Sequence, residues 1–163
     1  MKHNTQVKAI ALGIGLVSAA ALSGLALSSV KPAKTTINPP NLMDSLQYGY
    51  SQATSIGPDV RTVFISGQAG VSEAGPNDFH AQVDRAFDNL AAMLRIAGAD
   101  VDDVVKISLL VKDHDPEKMD YLIAKRRAFF GNQPPASTLI PVPTLALDRL
   151  AFEVDAIAMV RTR

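Results

Sequence analysis

The sequence predicts a two-layer α+β domain, a mixed β-sheet with two helices on one face. Two stretches carry a single apolar stripe at helical spacing, and short β-branched, apolar runs lie around them. The two kinds alternate as strand, strand, helix, strand, helix, strand, strand, the order of an α+β domain. Each helix has one apolar stripe, so both are expected on the same face of the sheet.

Thr62 to Ser66 is β-branched and aromatic and ends at Gly67, a strand running into a turn. From Asp78 to Ala97, Phe79, Val83, Phe87, Leu90 and Leu94 recur at three- and four-residue steps, which predicts a helix. Asn77 or Asp78 can cap its start, and Gly98 stands where a left-handed cap ends one. Val104 to Val111 is a second strand. Asp115-Pro116 then reads as an N-cap with proline in the first turn, opening a helix with Met119, Leu122, Ile123, Phe129 and Phe130 on one side. Thr138 to Val142 and Ala151 to Val160 close the domain as strands, joined by a loop with Pro143 and Asp148-Arg149. Strands such as Ile107 to Val111 look too apolar on both sides for solvent, so the face away from the helices is expected to be covered by another subunit.

The 163 residues, 47% hydrophobic, suit one globular domain and an appendage. Sixteen basic residues balance sixteen acidic ones with no block of like charge, so a basic nucleic-acid-binding face is not expected. The absence of cysteine excludes disulfides, thiolate metal sites, a cysteine nucleophile and a lipoprotein anchor. Lys2 and Lys8 precede an uncharged stretch, residues 9–30, rich in Ala, Leu, Gly and Ser, with small residues at cleavage spacing in Gly24 to Ser28. Residues 1–28 therefore read as a signal peptide, and the protein as exported, periplasmic or secreted. An uncleaved anchor through residues 9–30 is the alternative, weakened by Gly13, Gly15 and Gly24. Removing residues 1–28 takes away Lys2 and Lys8 and no acid, leaving the mature chain mildly acidic. Residues 29–41, with three prolines, read as a linker, and residues 42–163 as the domain.

Several segments together carry a family resemblance: Arg61 to Gln68 (Arg-Thr-Val-Phe-Ile-Ser-Gly-Gln), Val105 to Asp113, the Pro-Pro-Ala turn at Pro134 to Ala136, and Phe152 to Ala158. In this order they resemble the reactive intermediate deaminase (RidA, or YjgF) family. The resemblance implies a chorismate-mutase-like fold, a homotrimer with small-molecule clefts between subunits, and imine hydrolysis to a 2-oxo acid and ammonia without metal or cofactor. It matches Glu153 to the glutamate that orients water, Tyr50 to a tyrosine walling the cleft, and Ser66 and Gly67 to residues lining it. It also implies three departures. Ser137 stands where the family has its carboxylate-gripping arginine, Leu139 where it has a cysteine, and Ile123 where it has an asparagine. A hydroxyl supplies no positive charge, so altered or lost activity is expected, or a trimer that binds a metabolite or protein partner and catalyses nothing.

Two cationic regions are candidates to replace the arginine that the resemblance implies. Lys125-Arg126-Arg127 are expected to be solvated helix charges, and Arg149, near Glu153 in sequence, is the better candidate. His80 and His114 have no partner at metal-ligand spacing, and no phosphate or dinucleotide fingerprint occurs. Ribonuclease activity, which attaches to the family by name, has no physical basis in this charge pattern.

Overall fold

The structure, a computed structural model, describes residues 34–162. The signal-peptide expectation and the start of the linker lie outside them. No helix among the described residues is long and apolar enough to cross a membrane.

The elements run β1 (Lys34–Ile37), β2 (Ala53–Ile56), β3 (Val60–Gln68), α1 (Phe79–Ile96), β4 (Val104–Lys112), α2 (Pro116–Phe130), β5 (Ala136–Val142) and β6 (Phe152–Arg161). Strands β3, β6, β4 and β5 form one sheet in that spatial order. It is mixed: β6 runs antiparallel to both β3 and β4, whereas β4 and β5 are parallel. A parallel pair needs a crossover, which α2 supplies.

Helix boundaries follow their caps. The Asp78 carboxylate accepts from the Ala81 backbone N–H at 3.0 Å, and Asp115 accepts from Lys118 N–H at 2.8 Å with Pro116 behind it. At the end of α1, Gly98 turns left-handed (φ 65°) and Arg61 donates to the carbonyls of Ala97 and Gly98 at 2.6 and 3.0 Å.

Both helices pack on the face presented by Ile65, Ile107, Leu109, Val111, Phe152 and Val154. Phe87 at its centre stacks on Phe152 (centroids 6.1 Å apart) and meets Phe129 edge-on at 5.0 Å. Phe87 and Phe152 are fully buried, and each contributes about 1.5–3 kcal/mol.

Two expectations need correcting. The stretch read as linker contains β1, which pairs antiparallel with β2 as a small second sheet. Lys34 anchors it, donating from a buried ammonium to the carbonyls of Val104 and Gln133 at 2.9 and 3.0 Å. Three prolines suggested a linker, but they flank β1 and leave its backbone donors intact. Nor is β4 apolar on both sides. Ile107, Leu109 and Val111 turn to the helices, while Lys106, Ser108, Leu110 and Lys112 alternate onto the other face. That open face is mixed, with Phe64 77% exposed and Ile140 42% exposed beside these polar groups.

Candidate functional site

The residues matched to the family site fall into two groups on opposite faces of the sheet. The first lies on the open face. Glu153 sits half-buried on β6, its alternation carrying Phe152 and Val154 into the core and the carboxylate outward. On the neighbouring β3 the register breaks between Ile65 and Gln68, a bulge that frees Ser66 and Gly67 from regular pairing. A β-carbon placed on Gly67 would run into the Glu153 carboxylate, so only glycine leaves the acid room to lie over β3. Gln68 folds back to donate to the Ser66 carbonyl at 2.9 Å, and both Ser66 and Gly67 remain exposed.

The second group lies at the β5 edge, on the helix side. Ser137 is in register with Ile107 and Leu139 with Leu109, so both point towards α2. Leu139 is partly buried against the core, and Ile123 is half-buried on α2. The segment before β2 runs alongside: Ser51 N–H donates to the Pro135 carbonyl at 2.9 Å, and its hydroxyl to Pro134 at 2.7 Å. Gly49, left-handed at φ 72°, lets this segment press on α2, since a β-carbon there would sit 3.0 Å from that of Arg126.

Under that segment lies a residue the sequence reading placed in solvent. Arg126 is 2% exposed. Its Nε donates to the Leu122 carbonyl at 3.3 Å, its Nη1 donates to the Ser137 hydroxyl at 3.4 Å, and its Cζ lies 5.9 Å from the centre of the Tyr50 ring. Its Nη2 is buried with no hydrogen-bond partner among the described residues. Burial pulls the guanidinium down to about 10, with Tyr50 acting in the opposite direction, so it stays cationic at neutral pH. The helical spacing Leu122, Arg126, Phe130 was the available signal, because it places the arginine on the buried stripe.

The neighbouring cations do something else. Lys125 pairs with Asp84 of α1 at 2.8 Å and lies over the Phe87 ring, while Arg127 is exposed. Arg149, the expected replacement, is exposed and pairs loosely with Glu73 at 3.6 Å. His80 stacks on Tyr121 at 3.9 Å. No cluster of three or more His, Asp or Glu side chains able to hold a metal occurs among the described residues.

The two groups do not meet within one chain. Glu153 is in register with Leu110 and, across β4, with Ile140, three residues along β5 from Ser137 and on the other face. Thus the carboxylate and the buried cation sit two strands apart on opposite sides of the sheet.

A mixed sheet with two helices on one face and a glycine-cleared carboxylate on the other defines the class: small two-layer α+β proteins with one open sheet face. Residues 44–160 match the family model described as Endoribonuclease L-PSP, and the chain belongs to this RidA/YjgF/L-PSP family. It is 34% identical to a RutC family protein of Pyrococcus abyssi over 114 residues, 67% of this chain and 84% of that one. It is 27% identical to a 2-iminobutanoate/2-iminopropanoate deaminase of Dermatophagoides farinae, covering 68% of this chain and 85% of that protein. Among solved structures it is similar to a Rid-family protein of unknown function from Yersinia pestis, at TM-score 0.74 and 33% identity, over 79% of this chain and all of that one.

Proposed function

We propose that this protein hydrolyses small imines to the oxo compound and ammonia, with a specificity altered from that of family members bearing an arginine at the position of Ser137. The observation that carries this reading is the Glu153 carboxylate lying over Gly67 on the open face. A carboxylate there can accept a hydrogen bond from water, remove its proton as the oxygen adds to the C=N carbon, and return it to the departing nitrogen. The balance is one imine and one water in, one carbonyl compound and one ammonia out. Likeness to a 2-iminobutanoate/2-iminopropanoate deaminase supports the substrate class.

The cleft is completed between copies in a homotrimer. Two features support this: Phe64 and Ile140 leave apolar surface on the open face, and Ser137 and Glu153 are too far apart in one chain to hold one small molecule. Ammonia release from 2-iminopropanoate tests the chemistry. Wild type should release it faster than the uncatalysed reaction, and Glu153→Gln should lose about a hundredfold or more. A Glu153→Gln variant as fast as wild type would remove the carboxylate from the mechanism.

A second reading, a trimer that holds a metabolite without reacting it, draws on Ser137 in place of the family arginine. Exported localisation, from residues 1–28, is likewise a proposal. Amino-terminal sequencing of exported protein should find a start between residues 27 and 31, and an intact Met1 in membranes would contradict it.

A further inference from the structure

Arg126 is the one buried side-chain group among the described residues with an unsatisfied polar atom, and that group is a cation with no carboxylate beside it. An unpaired buried charge costs several kcal/mol, so it calls for a compensating anion. The direction of its one side-chain hydrogen bond says where that anion would sit. Arg126 Nη1 donates to the Ser137 oxygen, which fills an acceptor site of the hydroxyl and leaves its proton to donate away from the guanidinium. Ser137 is half-buried and keeps part of its surface open, whereas Arg126 does not.

We propose that Arg126 and Ser137 form a two-part grip for a carboxylate, in which the Ser137 hydroxyl contacts the anion and the guanidinium behind it orients that hydroxyl and supplies the charge. This deepens, and rests on, the reading of the β5 edge as part of the family ligand cleft. The ligand is then a small carboxylate, not an uncharged molecule, with its positive counter-charge supplied from α2. Tyr50 and Gly49 close over the guanidinium and exclude water, which strengthens its field at Ser137. Arg126 is in this sense a positioning residue that acts through Ser137.

The test compares two probes of one shape, 2-oxobutanoate and its neutral amide, binding to the whole protein by ligand-observed NMR. Wild type should favour the anion by about tenfold, the low end for a charge-assisted hydrogen bond. Arg126→Met should abolish that preference while still binding the amide, which damage to the fold alone would not do. Ser137→Ala leaves the buried cation in place and should lose the preference too, so the proposal stays testable if the Arg126 variant folds poorly. Equal binding of both probes by wild type, no binding of either, or a preference that survives Ser137→Ala would overturn it. Ammonia release measured in parallel separates the two readings. Anion preference without turnover removes the deaminase reading alone, and turnover without anion preference removes the grip alone.

Discussion

A guanidinium sealed beneath a tyrosine and joined to a serine changes what an arginine at position 137 would do. Ser137→Arg adds a second cation within reach of Arg126, and two like charges in a partly dry pocket repel. We therefore expect Ser137→Arg alone to destabilise the protein and gain little turnover of 2-iminopropanoate. The double variant Ser137→Arg with Arg126→Met should gain about tenfold or more over the single one, still dependent on Glu153. Ammonia release and thermal melting of the three proteins decide it, and a single variant that equals the double would show that Arg126 does not act there. Gly67→Ala is the matching probe on the other face. The new methyl forces the Glu153 side chain aside, so turnover should fall by about a hundredfold. The melting temperature should stay close to wild type, because Gly67 is exposed. The motif alone singled out Glu153, Ser66 and Gly67, and the β3–β6 pairing brings them side by side. Arg126 was not, because two other cations flank it and a run of three reads as a solvated face. Burial of the middle one depends on the Gly49–Tyr50 segment packing on it from far along the chain.

The two helices are tied by more than apolar contact. Asp84 of α1 accepts from Lys125 of α2 at 2.8 Å. Burial works to raise the Asp84 carboxyl, but hydrogen bonds from Lys125 and Tyr121 outweigh it and hold the group below its usual 3.8. Burial, then Asp84, pushes the Tyr121 phenol up to about 12. With the folded carboxyl depressed, its stabilisation is present above the unfolded value and is lost as pH falls through the folded one. Asp84 is about half exposed, so Asp84→Asn should cost less than about 1 kcal/mol at neutral pH. Urea unfolding should show that difference shrinking as pH falls below the ordinary carboxylate value of 3.8, and a gap that widens on acidification would contradict the assignment. At this scale most of the fold was legible: both caps, both helices and the four long strands lie within a few residues of where periodicity and capping put them. Strand β1 was not, since four residues between prolines carry too little pattern. It is held by a long-range contact from Lys34, which local sequence does not encode.

Across the whole molecule, the proposed assembly makes the open sheet face and the β5 edge each half of a site. Period-two alternation of β4 and β6 could be read in advance, but which groups face which neighbour needed the register between strands. The proposed homotrimer brings the Glu153 face of one copy to the β5 edge of the next. Light scattering should give about three times the chain mass, and Phe64→Glu, which charges an apolar residue 77% exposed on that face, should lower the mass and the turnover together. A stable wild-type monomer that turns over imine would contradict the assembly. The most direct test mixes two defective chains, Glu153→Gln and Arg126→Met, by co-expression. If each cleft takes its carboxylate from one copy and its cation from the next, about a quarter of the clefts in randomly mixed trimers are intact. The mixture should then release ammonia at about a quarter of the wild-type rate, above the sum of its two parents. A mixture no more active than the sum of its two parents, alongside active wild type, would place both groups' work within a single chain and contradict the shared site.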